Sequence, residues 1–342
     1  MANIRDIAKL AGVSIGTVSK ALHDNPRLKP ETRRHIQQLA EELGYYPNQL
    51  AHAVLTKQSR SIGLLLADIE RPYDASILSG VMEEAMSADY HVLVREHKLH
   101  PDRLKIALTF FVKQRVEGII CAPYFLSPGL LEALTFLRGQ EILVVGTDIH
   151  TERALIDNVG TDLEHMAALA VDYLMGLGHR QIALLGGMPN VPLSTTLGGA
   201  VLQALRKHHL VPRQYGNQPS EAYDEAYTIS VLKHLRHDHP APTALICWTD
   251  INAARVIIHG RALGLRIPED LSLLACCDSI MMTYTSPAIT CIDIAPREKG
   301  CAAVRHLFRL LERTPPLTEP ASIVVPCQLV VRQSCRKPSA AW

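Results

Sequence analysis

Three residues near the start of the chain, Ile15, Gly16 and Lys20, have the types and spacing to read a surface of hydrogen-bond acceptors and methyl groups. A lysine ammonium can donate to neighbouring acceptors such as O6 and N7 of guanine, and an isoleucine can contact a thymine methyl. Glycine reads nothing itself but lets the backbone approach closely. The pattern therefore favours contact with base edges in the DNA major groove.

Donors suited to phosphate oxygens lie around this trio, and such contacts orient a protein on DNA without reading its sequence. Residues 1–60 contain nine of the 35 Lys and Arg residues but only five of the 34 Asp and Glu residues, so their net charge is +4 and that of the rest is −3. A basic head on a mildly acidic body is typical of a protein that places its head on nucleic acid. The expected phosphate contacts are Ser14, Thr17, Ser19, Thr32, Arg33 and Tyr45.

The elements that must position these residues form a predicted helix-turn-helix. Gly12 can take the left-handed conformation that ends a first helix, and the Ser14 hydroxyl can cap a second helix by accepting from the Thr17 amide. Pro30 favours the first turn of a third helix. Two short helices joined this tightly place the second one in the major groove. The apolar positions expected to be buried are Ile4, Ile7, Ala8 and Ala11 on the first helix, Val18, Ala21 and Leu22 on the second, and Ile36, Leu39 and Leu43 on the third.

The remainder of the chain alternates apolar runs with amphipathic segments. Continuous apolar strands separated by helices indicate parallel sheets that are covered on both faces. Seven such strand-helix units are too many to pack around one hydrophobic core. We therefore expect an α/β body of two lobes, each a doubly wound parallel sheet. The predicted strands are 62–67, 91–94, 118–122, 142–146, 182–186, 244–248 and 271–276.

Polar side chains follow several of these strands, where doubly wound sheets bind their ligands. Hydroxyls or ring nitrogens of a small molecule in the cleft between the lobes would suit them, although Asp250 is better placed to cap the helix that follows it. The expected effector-binding residues from this pattern are Tyr73, Asp74, Asp148, Asn190, Trp248, Asp250 and Asp278.

Short motifs along nearly the whole chain resemble the lactose-repressor (LacI/GalR-type) family of bacterial transcription regulators. In the head they are Asp6-Ile-Ala, Ala11-Gly-Val-Ser, Thr17-Val-Ser, Gly44-Tyr, Pro47-Asn and Ser61-Ile-Gly. In the body they are Lys113-x-Arg115-Val-x-Gly118, Leu177-Gly-His179-Arg-x-Ile182, Gly264-Leu-x-x-Pro268-x-Asp-x-Ser272 and Leu329-Val-x-Arg332-x-Ser.

The resemblance implies a periplasmic-binding-protein-like body that senses a carbohydrate-like effector, and a homodimer that binds a pseudo-palindromic operator. It also implies a hinge helix over 48–55 whose leucine wedge opens the minor groove. Val54 is at the position of the wedge leucine and Leu55 follows it, so either residue could insert between the base pairs. Thr196 replaces an arginine that usually grips the effector, so a strongly anionic effector is disfavoured. Asp278 falls at an effector-binding aspartate position.

The expected domains are a head over 1–46, a hinge and linker over 47–60, and a body over 61–342. The first lobe is expected over about 61–158 plus 292–325, and the second over about 159–291 plus 326–336. No run of about eighteen apolar residues and no signal peptide are present, so we expect a cytoplasmic protein without membrane contact.

The sequence contains no G-x-x-x-x-G-K-[ST] phosphate-binding loop, so we expect a non-enzyme without catalytic residues or cofactors. The eight cysteines form no C-x-x-C pair, and we interpret His234, His237 and His239 as a solvated loop, so no metal is expected. Two functions stay open. The chain is either a repressor controlled by a small effector, or the same DNA-binding regulator with a degenerate pocket that responds to a partner protein or to its own abundance.

Overall fold

A computed structural model describes residues 2–22, 25–45, 59–98, 100–122, 128–149, 156–186, 197–215, 225–235, 237–312 and 319–338. The chain divides into two compact units, Met1–Arg60 and Ser61–Trp342. We call the first unit the head and the second unit the body.

The head is built from three helices, α1 (Ile4–Leu10), α2 (Ile15–Leu22) and α3 (Pro30–Glu42). The Asn3 side chain caps α1. Gly12 has a φ of +63°, which confirms the left-handed turn, and the amide of Thr17 donates to the Ser14 hydroxyl at 3.1 Å, which confirms the predicted cap. One apolar cluster joins the three helices, and its fully buried members include Ile7, Val18 and Ile36.

The body contains two six-stranded sheets. The first sheet has the order β11-β5-β4-β3-β1-β2 with all neighbours parallel, and we call it and its helices the first lobe. Its strands are β1 (Ser61–Leu66), β2 (His91–Glu96), β3 (Gly118–Ala122), β4 (Leu143–Thr147), β5 (Asp157–Gly160) and β11 (Ser322–Val324). Its helices are α4 (Pro72–Ser87), α5 (Pro101–Lys113), α6 (Pro128–Gly139) and α12 (Pro296–Leu311).

The second sheet, with its helices, is the second lobe. Its order is β12-β10-β9-β8-β6-β7, and only the pairing of β10 with β12 is antiparallel within the described residues. Its strands are β6 (Ile182–Leu185), β7 (Arg213–Tyr215), β8 (Ala244–Cys247), β9 (Ser272–Ala275), β10 (Thr290–Asp293) and β12 (Gln328–Val330). Its helices are α7 (Leu163–Gly176), α8 (Leu197–Lys207), α9 (Glu225–Leu235), α10 (Asp250–Ala262) and α11 (Ile280–Tyr284).

Both sheets are covered on their two faces. In β1, Leu64 packs into the cluster beneath α4 and α12, whereas its neighbour Leu65 packs into the cluster beneath α5 and α6. In β6, Leu184 and Leu185 divide in the same way between two clusters. This alternation explains why the strands are apolar throughout, since consecutive side chains point to opposite buried faces.

The seven predicted strands are present, but the lobe boundaries differ by about two residues from the expected ones. The first lobe extends to Gly160 instead of 158, because Val159 pairs with Thr147 on one side and with Ile323 on the other. The second lobe extends to Asp293 instead of 291, because β10 pairs with β12 over that residue. A boundary at 158 or 291 would cut a hydrogen-bonded strand. The predicted hinge helix over 48–55 lies outside the described residues.

Candidate nucleic-acid interface and effector site

One face of α2 is exposed and carries the three residues predicted to read bases. Ile15 is 46% exposed, and Gly16 and Lys20 are also exposed. The opposite face packs through Val18 and Ala21, which are fully buried. A large apolar side chain left this exposed beside a cation and a glycine suits contact with a partner surface. The structure therefore brings the predicted base-reading residues together on one face.

The predicted phosphate donors divide into two groups. Ser14 and Thr17 lie at the start of α2, where their hydroxyl oxygens are 2.9 Å apart. One hydroxyl donates to the other, so the pair retains one O–H donor for a phosphate instead of two. The remaining donors are partly exposed in the head and are Ser19, Thr32, Arg33 and Tyr45. Val54 and Leu55, predicted as the minor-groove wedge, lie outside the described residues.

In the body, Asp148 directly follows β4 and accepts three hydrogen bonds from the protein itself. The Tyr73 hydroxyl and the Lys299 ammonium both donate to Oδ2, the latter at 2.5 Å. The amide of Thr161 donates to Oδ1 at 2.8 Å. Burial and the neighbouring Asp148 charge raise the pKa of Tyr73 well above its usual value, so the hydroxyl keeps its proton and donates. Both carboxylate oxygens of Asp148 thus already accept hydrogen bonds from the protein.

Asp74 was predicted to contact the effector, but its side chain is only 1% exposed. Its Oδ2 accepts from the Asp68 amide at 3.1 Å and lies 3.3 Å from Nη1 of Arg71. Burial raises the pKa of Asp74 to about 6, although the Arg71 charge favours the ionised form. The first turn of α4 turns this carboxylate inward, which sequence spacing alone does not reveal. Asp74 therefore ties the loop after β1 to α4.

Asp250 was expected to cap the helix after β8, and this expectation is wrong. Thr249 is the N-cap residue of α10, and its hydroxyl accepts from the Asn252 amide at 3.1 Å. The Asp250 Oδ1 accepts from the Ile251 amide at 2.9 Å, whereas its Oδ2 is buried and has no partner in the part of the chain that the structure describes. Because the hydroxyl of Thr249 does the capping, one carboxylate oxygen of Asp250 remains available to a ligand. Trp248 precedes this cap and is partly exposed.

Asp278 lies in a surface groove and not beside Tyr73, Asp148 and Lys299. Its Oδ2 accepts from Nη2 of Arg332 at 2.8 Å, and its Oδ1 is buried with no partner within the described ranges. It lines a groove of about 600 Å³ between α4, α12 and α11, which Tyr73, Asp148 and Lys299 do not line. The short helix α11 begins after Ser279 without a side-chain cap, so Asp278 does not cap it. Asn190 and Thr196, the other predicted effector residues, lie outside the described residues.

The strand ends of the two lobes meet around the Cys277 thiol. Burial, and next the Asp250 charge, raise its pKa well above the usual value, while the charges of Lys299 and Arg71 act in the opposite direction. Tyr73 packs against the apolar clusters of both lobes. We call this meeting place the cleft, formed by Arg71, Tyr73, Asp148 and Lys299 from the first lobe and by Asp250 and Cys277 from the second. Asn252 lies two residues after Asp250 in the same turn of α10.

Sequence reasoning missed the cations of this region. Lys299, Arg71 and Arg332 each pair with an aspartate that was predicted to bind effector, namely Asp148, Asp74 and Asp278 respectively. One signal was available for Lys299, because it shares a helix face with Ala303 and Leu307, the buried face of α12. A lysine on an apolar stripe is unusual, since charged side chains are rarely fully buried without a partner. The partners of Arg71 and Arg332 had no comparable sequence signal.

Within the described residues, no helix combines the length and the apolar composition that a membrane crossing requires. In the same part of the chain, no group of three or more His, Cys, Asp or Glu side chains is placed to hold a metal ion.

Comparison with known proteins agrees with this architecture. Residues 3–48 match the family model of bacterial regulatory proteins of the lacI family, and residues 171–335 match a periplasmic binding protein-like domain. The HTH-type transcriptional repressor PurR of Yersinia pestis bv. Antiqua (strain Antiqua) is 30% identical over 346 residues, which cover 98% of this chain and 97% of the relative. The chain belongs to the lacI family of bacterial regulatory proteins. As a lacI-family regulator, it is a DNA-binding transcription factor with an effector-binding body.

Solved structures share the fold of this lacI-family chain. The lac repressor dimer bound to operator and the anti-inducer ONPF superposes with a TM-score of 0.83 at 22% identity, covering 98% of this chain and 99% of that one. The transcriptional regulator CelR in complex with cellobiose superposes with a TM-score of 0.68 at 20% identity, covering 98% of this chain and all of that one. The likeness confirms the fold class expected from the sequence, a helix-turn-helix head on a two-lobed α/β body.

Proposed function

We propose that this regulator is a repressor that binds a pseudo-palindromic operator as a homodimer and responds to a small carbohydrate-like effector. The observation that carries the DNA-binding part is the exposed face of α2, where Ile15, Gly16 and Lys20 lie together opposite a fully buried face. The net charge of +4 in residues 1–60 supplies the attraction to phosphates. Two-fold symmetry of the dimer would be mirrored in the operator.

The base contacts and the phosphate contacts have separate roles in this proposal. Lys20 donates to a guanine and Ile15 contacts a methyl group, while Gly16 allows the close approach. Donors from Ser14 or Thr17, together with Ser19, Thr32, Arg33 and Tyr45, hold the backbone and orient the head. Val54 or Leu55 would wedge the minor groove at the centre of the operator.

Control by effector follows from the two lobes of the body. The lac repressor structure holds an operator together with an anti-inducer, and the CelR structure holds cellobiose. A ligand between two lobes that binds one arrangement more tightly shifts the population toward it. We therefore assign the cleft the sensing role and the head the DNA-binding role. The chain acts by binding and not by catalysis, in the cytoplasm where its operator DNA lies.

Selection of duplexes from a random DNA library with the full-length protein tests this function. We expect a pseudo-palindromic site, whose affinity falls steeply with salt concentration because several phosphates release counterions. An operator affinity that does not change with salt concentration would contradict the proposal. So would the enrichment of sequences without two-fold symmetry. Lys20→Ala, which removes the proposed base contact, should weaken binding to the selected site. Lys9→Ala serves as its matched control, because Lys9 is an exposed lysine on α1 of the same unit.

A further inference from the structure

Lys299 has an unusual environment for a lysine. Its side chain is fully buried on α12, and among the described residues Asp148 is the one acceptor of its ammonium. An ammonium has three N–H donors. Two of them therefore have no protein acceptor in the part of the chain that the structure describes. The ring of Tyr73, 5.5 Å from Nζ to its centroid, forms one wall around the charge.

Stability alone does not account for this lysine. Removing an ammonium from water is costly, and apolar side chains of similar volume often stabilise a protein better than a buried ion pair. Apart from His306, the other buried residues of α12 are small or apolar, for example Ala303, Val304 and Leu307. A buried charge with unused hydrogen-bonding capacity is costly in the folded protein, and a ligand that accepts from the unused donors reduces that cost.

Asp148 is poorly suited to receive a ligand hydroxyl, although the sequence pattern predicted that role. Its two oxygens already accept from Tyr73, Lys299 and Thr161. A ligand donor would have to compete with these protein donors. A ligand acceptor meets no such competition, because it can take the unused N–H groups of Lys299. The first-lobe wall of the cleft is thus complementary to an acceptor, and most strongly to an anionic one.

The second-lobe wall has the opposite character. Asp250 and Asn252 are 4% and 2% exposed, and Oδ2 of Asp250 and Oδ1 of Asn252 are each buried without a hydrogen-bond partner among the described residues. Both atoms are acceptors and belong to the first turn of α10, whose Asp250 lies near the Cys277 thiol. Buried acceptors without partners require donors, which hydroxyl groups of a ligand supply.

We propose that the cleft takes a polyhydroxylated effector that bears an oxyanion group, either a carboxylate or a phosphate, and that this group binds the Lys299 ammonium. The hydroxyls of the effector donate to Asp250 and Asn252. This inference rests on the proposed sensing role of the cleft. It replaces the expectation that the pocket, with Thr196 in place of an arginine, disfavours anions, because a cation from α12 takes over that role. Solvent does not reach the ammonium in this arrangement, so ligand entry requires the lobes to separate.

Calorimetric titration of the full-length protein with matched ligands tests the proposal. The neutral members are D-glucose and D-glucitol, the carboxylates are D-glucuronate and D-gluconate, and the phosphate is D-glucose 6-phosphate. We expect at least one anionic member to bind at least tenfold more tightly than its neutral counterpart. The carboxylate and phosphate arms then identify which oxyanion the cleft selects.

Lys299→Met removes the charge and keeps the length of the side chain, and we expect it to abolish the preference for the anionic member. Lys233→Met is the matched control, since Lys233 is an exposed lysine on α9 of the second lobe. If Lys299→Met fails to fold because Asp148 loses its counter-charge, the double variant Lys299→Met/Asp148→Asn keeps the pair neutral and should show the same loss of preference.

Equal or tighter binding of the neutral members by the wild type would overturn the proposal. So would an unchanged preference for the anion in both Lys299 variants. Operator binding is measured separately on the same wild-type protein, without ligand. Loss of operator binding alone would refute the proposed regulatory function, whereas operator binding combined with a neutral-sugar preference would refute only the oxyanion assignment.

Discussion

The head and the body use their polar residues in opposite ways. In the head, the side chains proposed to bind DNA are exposed on α2, and buried apolar residues hold that helix in place. In the body, the acidic side chains at the strand ends are largely buried, and cations of the same chain pair with them. The head thus presents exposed side chains to a large partner, whereas the body encloses carboxylates that are paired with its own cations and that a small ligand must rearrange.

The largest effect is expected from separating the two units. A fragment of residues 61–342 should dimerise but show no retardation of operator DNA, because the helix-turn-helix and the excess of positive charge both lie in residues 1–60. A gel retardation assay with the selected operator measures this, with the full-length protein as the control. Retained operator affinity in the fragment would remove the distinction between the head and the body.

Breaking the buried pair in the cleft should cause the next largest effect. Asp148→Asn leaves the fully buried Lys299 ammonium without a counter-charge, so we expect the free energy of unfolding to fall by about 3–5 kcal/mol. Urea unfolding of the full chain at pH 7 measures the change. Lys299→Met/Asp148→Asn should recover most of the loss. Equal stability of the single variant and the wild type would show that the ammonium reaches another acceptor or water.

Truncating the exposed lysine of α2 should act on specificity. Lys20→Ala is expected to weaken operator binding by about 1–3 kcal/mol, mainly through one base pair in each half-site, because one direct base contact is lost. Binding to a set of single-base operator variants measures the effect. Arg33→Ala should instead weaken all sequences alike if Arg33 holds a phosphate. A uniform loss from Lys20→Ala would assign Lys20 to the phosphate contacts.

Changing Asp278 tests whether the groove beside α11 participates in the effector response. Asp278→Asn replaces a carboxylate acceptor by an amide and weakens the contact with Arg332. We expect the coupling between effector and operator to weaken by about 1–3 kcal/mol. Operator binding titrated with the effector that shifts the wild type measures it. An unchanged midpoint would confine effector recognition to the cleft around Lys299.

The smallest effect concerns the pH dependence of stability. Burial raises the pKa of Asp74 to about 6, so the folded protein holds the Asp74 proton more tightly than the unfolded chain does. Stability from this group is present below the unfolded pKa near 3.8 and is lost as the pH rises toward 6. We expect Asp74→Asn to remove about 1–2 kcal/mol of this pH dependence. Urea unfolding of both proteins at pH 4.5 and pH 7 measures it, and parallel curves would contradict the assignment.

Much of the fold could be predicted from the sequence because the signals were local. The cap at Ser14, the turn at Gly12 and the start of α3 at Pro30 depend on residues within a few positions of each other. The buried strands follow from continuous apolar runs. The lobe boundaries were less accurate, since the ends of β5 and β10 depend on pairing with β11 and β12, which come much later in the chain.

By itself the sequence determined the helix-turn-helix, the α/β class of the body and the membership of the lacI family, because helical periodicity, caps and apolar runs act over short distances. Only the tertiary structure decided how the predicted effector residues are used. It paired Asp148 with Lys299 across 151 positions and Asp278 with Arg332 across 54. It also left one carboxylate oxygen of Asp250 without a partner among the residues that the structure describes. The electrostatics of a buried site depend on which charges meet there, and chain folding brings those charges together from distant parts of the sequence.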